Sequence, residues 1–271
     1  MRRNAFVLAL AAALSAAVPG FARAADTPVD LELVLAVDVS RSMDPDELQL
    51  QRDGYVAALT HPDIIAAIRS GARHRIALSY VEWAGPGMQY TAVDWRAIDG
   101  EASARAFADA LAQAPIQAFR GTSISDGLAY IQSRFDGNGF AAPRRVIDVS
   151  GDGPNNMGMP VELAREAVLR AGITINGLPI MIKQAGGFAA IDNLDVYYQD
   201  CVIGGAGAFL LVVKSPDQFA EAIRRKLVLE IADRADHPRH RDPGREPRRL
   251  HDRRAAASAV DARVSARGMR E

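Results

Sequence analysis

Residues 31–42 read Leu31-Glu32-Leu33-Val34-Leu35-Ala36-Val37-Asp38-Val39-Ser40-Arg41-Ser42. From Leu31 to Val37 the run is almost unbroken in apolar side chains, as a strand buried on both faces of a parallel sheet requires. Asp38, Ser40 and Ser42 then set three short oxygen-bearing side chains at alternating positions. Behind them, Met43-Asp44-Pro45-Asp46-Glu47 reads as a helix start, with Asp44 as N-cap, Pro45 at the first helical position and acids in the first turn. The oxygens therefore occupy a tight strand-to-helix connection. In an open α/β sheet that is the carboxyl end of a strand, where such sheets bind their ligands.

A carboxylate and two hydroxyls, with no His or Cys nearby, suit Mg²⁺, Mn²⁺ or Ca²⁺ rather than zinc. The same residues also make an ordinary capped helix start without a metal, and five positions alone do not separate the two readings.

The rest of the chain extends the α/β pattern. Pro45 to about Ser70 is helical, with an interruption at His61-Pro62. Arg75–Trp83 is a strand, and Gln89–Trp95 a hairpin partner at a sheet edge. Ala102–Ala114 is an amphipathic helix, Val146–Val149 a short strand, and Val161–Ala171 a helix closed by Gly172. Ile173–Ile180 is a strand, Lys183–Gly187 a loop, and Asn193–Asp200 a short helix or an irregular insert. Ala208–Val213 reads as a buried strand, and Ser215-Pro216-Asp217 caps a last helix running to about Ala232. This alternation predicts one doubly wound, mostly parallel α/β sheet over residues 28–232, with one antiparallel edge strand and helices on both faces. Gly204-Gly205-Ala206-Gly207 precedes a strand rather than a helix, so it fails as a phosphate-binding loop.

The ends differ in kind. Arg2 and Arg3, the apolar stretch Ala5–Val18 and the Ala22-Arg23-Ala24 site read as a secretory signal peptide over residues 1–24. Its apolar part is shorter than the roughly 20 residues a spanning helix needs. The mature protein is therefore expected in the periplasm or outside the cell, with no membrane span. Cys201 is the only cysteine, which excludes an intrachain disulfide, and it reads as a small buried residue. The formal net charge of −1 hides an Arg-rich, Lys-free end from about Arg234. Residues 233–271 are too poor in large apolar side chains to offset ordering entropy and read as a basic, disordered tail. That tail fits a solvated end better than a nucleic-acid-binding arm, and no nucleic acid is expected as a partner.

Asp38-x-Ser40-x-Ser42 resembles the first segment of the metal-ion-dependent adhesion site of von Willebrand factor A-type domains. Two later segments extend the resemblance. Gly121-Thr122 stands before a helix on which Ile124, Leu128 and Ile131 share a face, and Gly151-Asp152-Gly153 follows the strand at Val146–Val149. The resemblance implies Thr122 as the second metal-site segment and Asp152 as the third. Asp126, a helix N-terminal acid, and Asp148, inside the strand, are left outside the ligand set. Asp148 faces a polar gap or pairs with an arginine. The whole span, including Tyr197-Tyr198 and Cys201-Val202-Ile203-Gly204-Gly205, is similar to a secreted bacterial family catalogued as domain of unknown function 1194, within the A-type superfamily.

What the resemblance implies is a binding module rather than an enzyme. Mg²⁺, or Mn²⁺ or Ca²⁺, held by Asp38, Ser40, Ser42, Thr122 and Asp152 would accept an Asp or Glu side chain of a protein partner. The enzymatic alternative is a Mg²⁺-dependent phosphotransferase or hydrolase, but Ser40 stands where that chemistry needs a second carboxylate. No Gly-x-Ser-x-Gly elbow or Walker lysine is present either. A structural module with a vestigial site is the third reading. Intact-mass measurement of protein recovered from the producing cell should give a chain beginning near Ala25. A retained Met1 contradicts the export assignment.

Overall fold

The computed structural model describes residues 25–182 and 191–232. The expected signal peptide, the loop at Lys183–Gly187 and the basic tail lie outside the described residues.

Five strands form the main sheet: β2 (Glu32–Asp38), β3 (Ile76–Trp83), β4 (Gln89–Ile98), β6 (Arg145–Gly151) and β7 (Thr174–Pro179), in the spatial order β4-β3-β2-β6-β7. All pair in parallel except β4, which runs antiparallel to β3 at the edge. A separate two-stranded ladder joins β1 (Thr27–Pro28) to β5 (Phe140–Ala141). The helices are α1 (Pro45–Leu59), α2 (Pro62–Arg69), α3 (Glu101–Gln113), α4 (Ile124–Gln132), α5 (Val161–Arg170), α6 (Leu194–Tyr197) and α7 (Phe219–Ile231).

The sequence of β2 dictates its central position. Every one of its residues is buried, and alternation sends Leu33, Leu35 and Val37 to one core and Val34 and Ala36 to the other. The first core lies under α1, α2, α3 and α7, and the second under α4 and α5. Asp44 caps α1 as its sequence predicts: its side chain accepts from the Glu47 N–H, and Glu47 returns the bond to the Asp44 N–H. Pro62 opens α2, so the interruption at His61-Pro62 divides two helices.

Ala208–Val213 departs from the expected strand. It lies beside β7 but meets it in two separate bridges, Gly177 with Leu210 and Ile180 with Val213. The backbone bonds give the reason. Gly177 donates to Phe209 and accepts from Leu211, while Pro179 accepts from Val213 and Met181 donates to Val213. The bond missing between them would come from the N–H of residue 179, and proline has none.

The face of the sheet under α1 and α7 also carries buried charge. Asp148 pairs with Lys226 of α7 rather than with an arginine, and Lys226 also holds Glu230 one turn further on. Asn176 donates to Glu230, and the Phe209 ring lies 5.2 Å from the Lys226 ammonium. Farther along the same face, Arg52 of α1 pairs with Glu82 of β3 and donates to the carbonyls of Leu111 and Ala114. Burial raises both Glu82 and Glu230 to about 7 against the lowering pull of their cationic partners.

Breaking a buried pair from one side leaves an uncompensated charge, so Lys226→Ala should cost about 3–5 kcal/mol in urea unfolding, and Lys226→Met clearly less. Glu82 and Glu230 bind protons more tightly folded than unfolded. Their contribution to stability is therefore complete below the ordinary value of 4.5 and lost as pH rises through about 7. Denaturant titrations between those limits should show a shallower pH dependence for Glu230→Gln than for the unaltered protein.

Candidate metal centre at the carboxyl rim of the sheet

Asp38 ends β2, and the chain beyond it stays tied to the sheet. Val39 donates to the Trp83 carbonyl and accepts from Phe119, and Ser40 bridges Phe119 in parallel. Three loops thus meet at one rim: residues 39–44 after β2, 119–123 before α4, and 152–160 after β6.

Four of the five candidate ligands form a continuous hydrogen-bonded chain. The Ser40 N–H donates to Asp38 Oδ1 at 2.7 Å, the Ser40 and Ser42 hydroxyls are 2.7 Å apart, and Ser42 donates to Asp152 Oδ1 at 2.7 Å. Thr122 is brought to the same rim by its backbone. Its N–H donates to Asn156 Oδ1 and its carbonyl accepts from the Asn156 N–H, each at 2.9 Å. Among the described residues, no hydrogen bond joins the Thr122 side chain to the other four. Asp126 lies in the first turn of α4, as its sequence position implies, where the Ser123 hydroxyl accepts from its N–H.

Asp38 is fully buried, and its Oδ2 has no hydrogen bond of normal geometry. Burial first, then the carboxylate of Asp152, push its pKa well above the ordinary carboxylate range. Bonds from Ser40 and the Asp152 backbone act the other way and do not prevail. Beside it the Tyr198 hydroxyl is also buried without a partner, and its pKa is raised by burial, then by Asp38 and Asp152. A Cβ on Gly151 would lie 2.9 Å from both Asp38 Oδ2 and the Tyr198 hydroxyl. Glycine at 151 keeps that space open. An oxygen-only donor set around a buried, underbonded carboxylate oxygen fits a hard divalent cation.

Several supporting residues were not read from the sequence. Gln51 of α1 donates to the Asp38 carbonyl at 3.0 Å and accepts from Ser150, clamping β2, β6 and α1 together. Asn155 accepts from the Ser125 N–H and donates to the Met159 carbonyl, while its own N–H donates to the Tyr197 hydroxyl. Tyr197 and Tyr198 are set by α6 and the π-helical turn Tyr198–Val202, so the segment expected as a short helix or an irregular insert is helical and borders the site. The available signals were polar residues in buried phase: Gln51 next to Arg52 on the buried face of α1, and Asn155-Asn156 shortly after Asp152. Cys201 is buried in this insert, as expected.

Comparison with known proteins places the chain. Residues 28–235 match the family described as Protein of unknown function (DUF1194). The chain belongs to this family. No functionally curated protein matches it. Among solved structures it is similar to proximal thread matrix protein 1 from the mussel byssus, with 16% identity, 77% of this chain and 49% of that chain covered, and a TM-score of 0.54. A second structure of the mussel protein has a zinc-occupied MIDAS motif. The chain also resembles a von Willebrand factor type A protein from Catenulispora acidiphila, at 15% identity, 75% and 43% coverage and a TM-score of 0.53. The pilus adhesin SpaC from Lactobacillus rhamnosus GG gives 13%, 77%, 31% and 0.54. The chain spans about half or less of these proteins, and the likeness establishes a von Willebrand factor A-like fold.

Without metal, the buried Asp38 carboxylate opposes folding. In EDTA, Asp38→Asn should raise stability by about 1 kcal/mol or more, since it removes the charge that burial and Asp152 disfavour. Thermal melts of the two proteins in parallel check this. A lower melting temperature for the variant contradicts the electrostatic account.

Proposed function

We propose that this protein is an exported, divalent-metal-dependent binding module that recognises an acidic side chain of a protein partner. The carrying observation is the buried Asp38 Oδ2, left without a partner at one end of a chain of oxygens running through Ser40 and Ser42 to Asp152. Asp38, Ser40, Ser42 and Asp152 would hold Mg²⁺ directly or through water, with Mn²⁺ or Ca²⁺ as substitutes. Thr122, on the neighbouring loop, would complete the set. A hard cation held largely by neutral hydroxyls stays electrophilic and supplies open positions for an incoming carboxylate.

Recognition fits these residues better than hydrolysis. Position 40 is a serine, so the Asp38 loop lacks the Asp-x-Asp pair whose second carboxylate serves phosphotransferases as general acid or base. Tyr198, Gly151 and the Asp38–Ser40 turn shape the space beside Asp38. Export is supported by the leader-like start of the chain. Among the described residues no helix is long and apolar enough to cross a membrane.

Calorimetry tests the centre. Mg²⁺ and Mn²⁺ should each bind at one site per chain, and Asp38→Ala should abolish the heat of binding. Asp152→Asn should weaken affinity by about tenfold or more, through loss of one charged ligand. Unchanged affinity in Asp38→Ala overturns the assignment.

A further inference from the structure

The proposed cation site accounts for one carboxylate of a partner, yet the rim around it carries more positive charge than one carboxylate would use. Arg41 lies between Ser40 and Ser42, and Arg120 lies between Phe119 and Thr122. The parallel Ser40–Phe119 bridge, together with the bond from the Arg41 N–H to the Phe119 carbonyl at 2.8 Å, makes the two arginines backbone neighbours. Both side chains are exposed. No carboxylate among the described residues pairs with either. Downstream of Arg41, the Asp44 and Glu47 carboxylates each accept a backbone N–H in the α1 capping box.

The backbone beneath the pair is fixed. Gly85, just past β3, is so close to the Arg120 carbonyl that a side chain there could not be accommodated. Gly121, with φ of +82°, turns the chain under Met157. Two guanidinium groups are thereby mounted on rigid loops, each flanking a different candidate ligand segment. Guanidinium is suited to bidentate contact with a carboxylate, and its charge needs no particular pH.

The exposed apolar side chains belong to segments that adjoin these loops. Met88 sits in the β3–β4 turn, Ile116 in the approach to Phe119, Met159 in the loop after β6 and Leu163 in the first turn of α5. These are the four large hydrophobic side chains left exposed among the described residues. A small inorganic anion would leave them wetted, and a nucleic-acid backbone offers them little to cover. A polypeptide matches both halves of the rim.

We infer that Arg41 and Arg120 form a second anion contact beside the cation site, selecting a protein segment that carries two carboxylates close together in sequence. The inference rests on the proposed cation site for the first carboxylate only. The arginines act by direct charge-assisted hydrogen bonds to the second.

Two fluorescent synthetic peptides test it: one aspartate in a glycine-serine background, and two aspartates separated by one or two glycines in the same background. Binding is titrated in Mg²⁺ and in EDTA, with the full chain and with Arg41→Ala/Arg120→Ala. In Mg²⁺ the two-aspartate peptide should bind at least about tenfold more tightly than the one-aspartate peptide. The double variant should lose that advantage while keeping the weaker affinity for one aspartate. Its melting temperature should be unchanged, since both side chains are exposed. The advantage should also shrink as salt is raised, because exposed charges are screened. Equal binding of the two peptides, or an advantage that survives in the double variant, overturns the inference and leaves the cation site standing. If Mg²⁺ changes neither affinity, the cation reading fails. The arginine contact is then decided in EDTA by whether the preference for two aspartates disappears in the variant. Displacement of the two-aspartate peptide by an equal concentration of a single-stranded oligonucleotide overturns the assignment to a polypeptide.

Discussion

A carboxylate fixed in the wrong dielectric governs this molecule. Asp38 is the last residue of the central strand, and the strand is buried on both sides because its neighbours β3 and β6 are covered by helices on each face. The sheet therefore delivers Asp38 into a place where its charge is poorly solvated and where Asp152 repels it. Such an arrangement is costly to the empty protein and is maintained by everything around it: the Ser40 turn, the Gln51 clamp and the absence of a side chain at Gly151. A cation at the proposed site would gain affinity mainly by relieving an unfavourable charge rather than by ordering loops.

The two faces of the sheet divide the work. The α4 and α5 face is an apolar core that continues into the Tyr197–Tyr198 insert and so reaches the rim from below. The α1 and α7 face instead buries Arg52 with Glu82, and Lys226 with Asp148 and Glu230. Buried ion pairs add little net stability, but they tolerate few alternative registers, because any slip leaves a bare charge. Lys226 and Asp148 therefore fix how α7 sits against β6, the strand that carries Asp152 at its end.

Much of this was legible in the amino-acid sequence, for identifiable reasons. The apolar run Leu33–Val37 within β2, the Asp44-Pro45 helix start and the His61-Pro62 break are local signals with local causes, and each appears in the fold where expected. Thr122 and Asp152 could be chosen only through resemblance, because a threonine before a helix and an aspartate in a turn are common. The structure brings Asp152 into the Asp38 chain of hydrogen bonds and Thr122 to the same rim. The partner of Asp148 was not legible, since Lys226 lies far away in sequence on a helix whose polar positions could equally have faced solvent. The interrupted pairing of Ala208–Val213 was hidden for a different reason: the obstacle is not in that segment but in Pro179 across from it.

That interruption bears on how the interior meets water. Phe209 belongs to the segment held by the two separated bridges, and its ring covers the Lys226 ammonium. An edge anchored at two points opens at lower free energy than a continuous ladder, so its amides exchange with solvent sooner than those of β6 or β2. Each such opening lifts the aromatic cover and admits water to a charge cluster that is otherwise dry. Opening of one edge segment would thus expose to water the Lys226–Asp148 contact that ties α7 to β6.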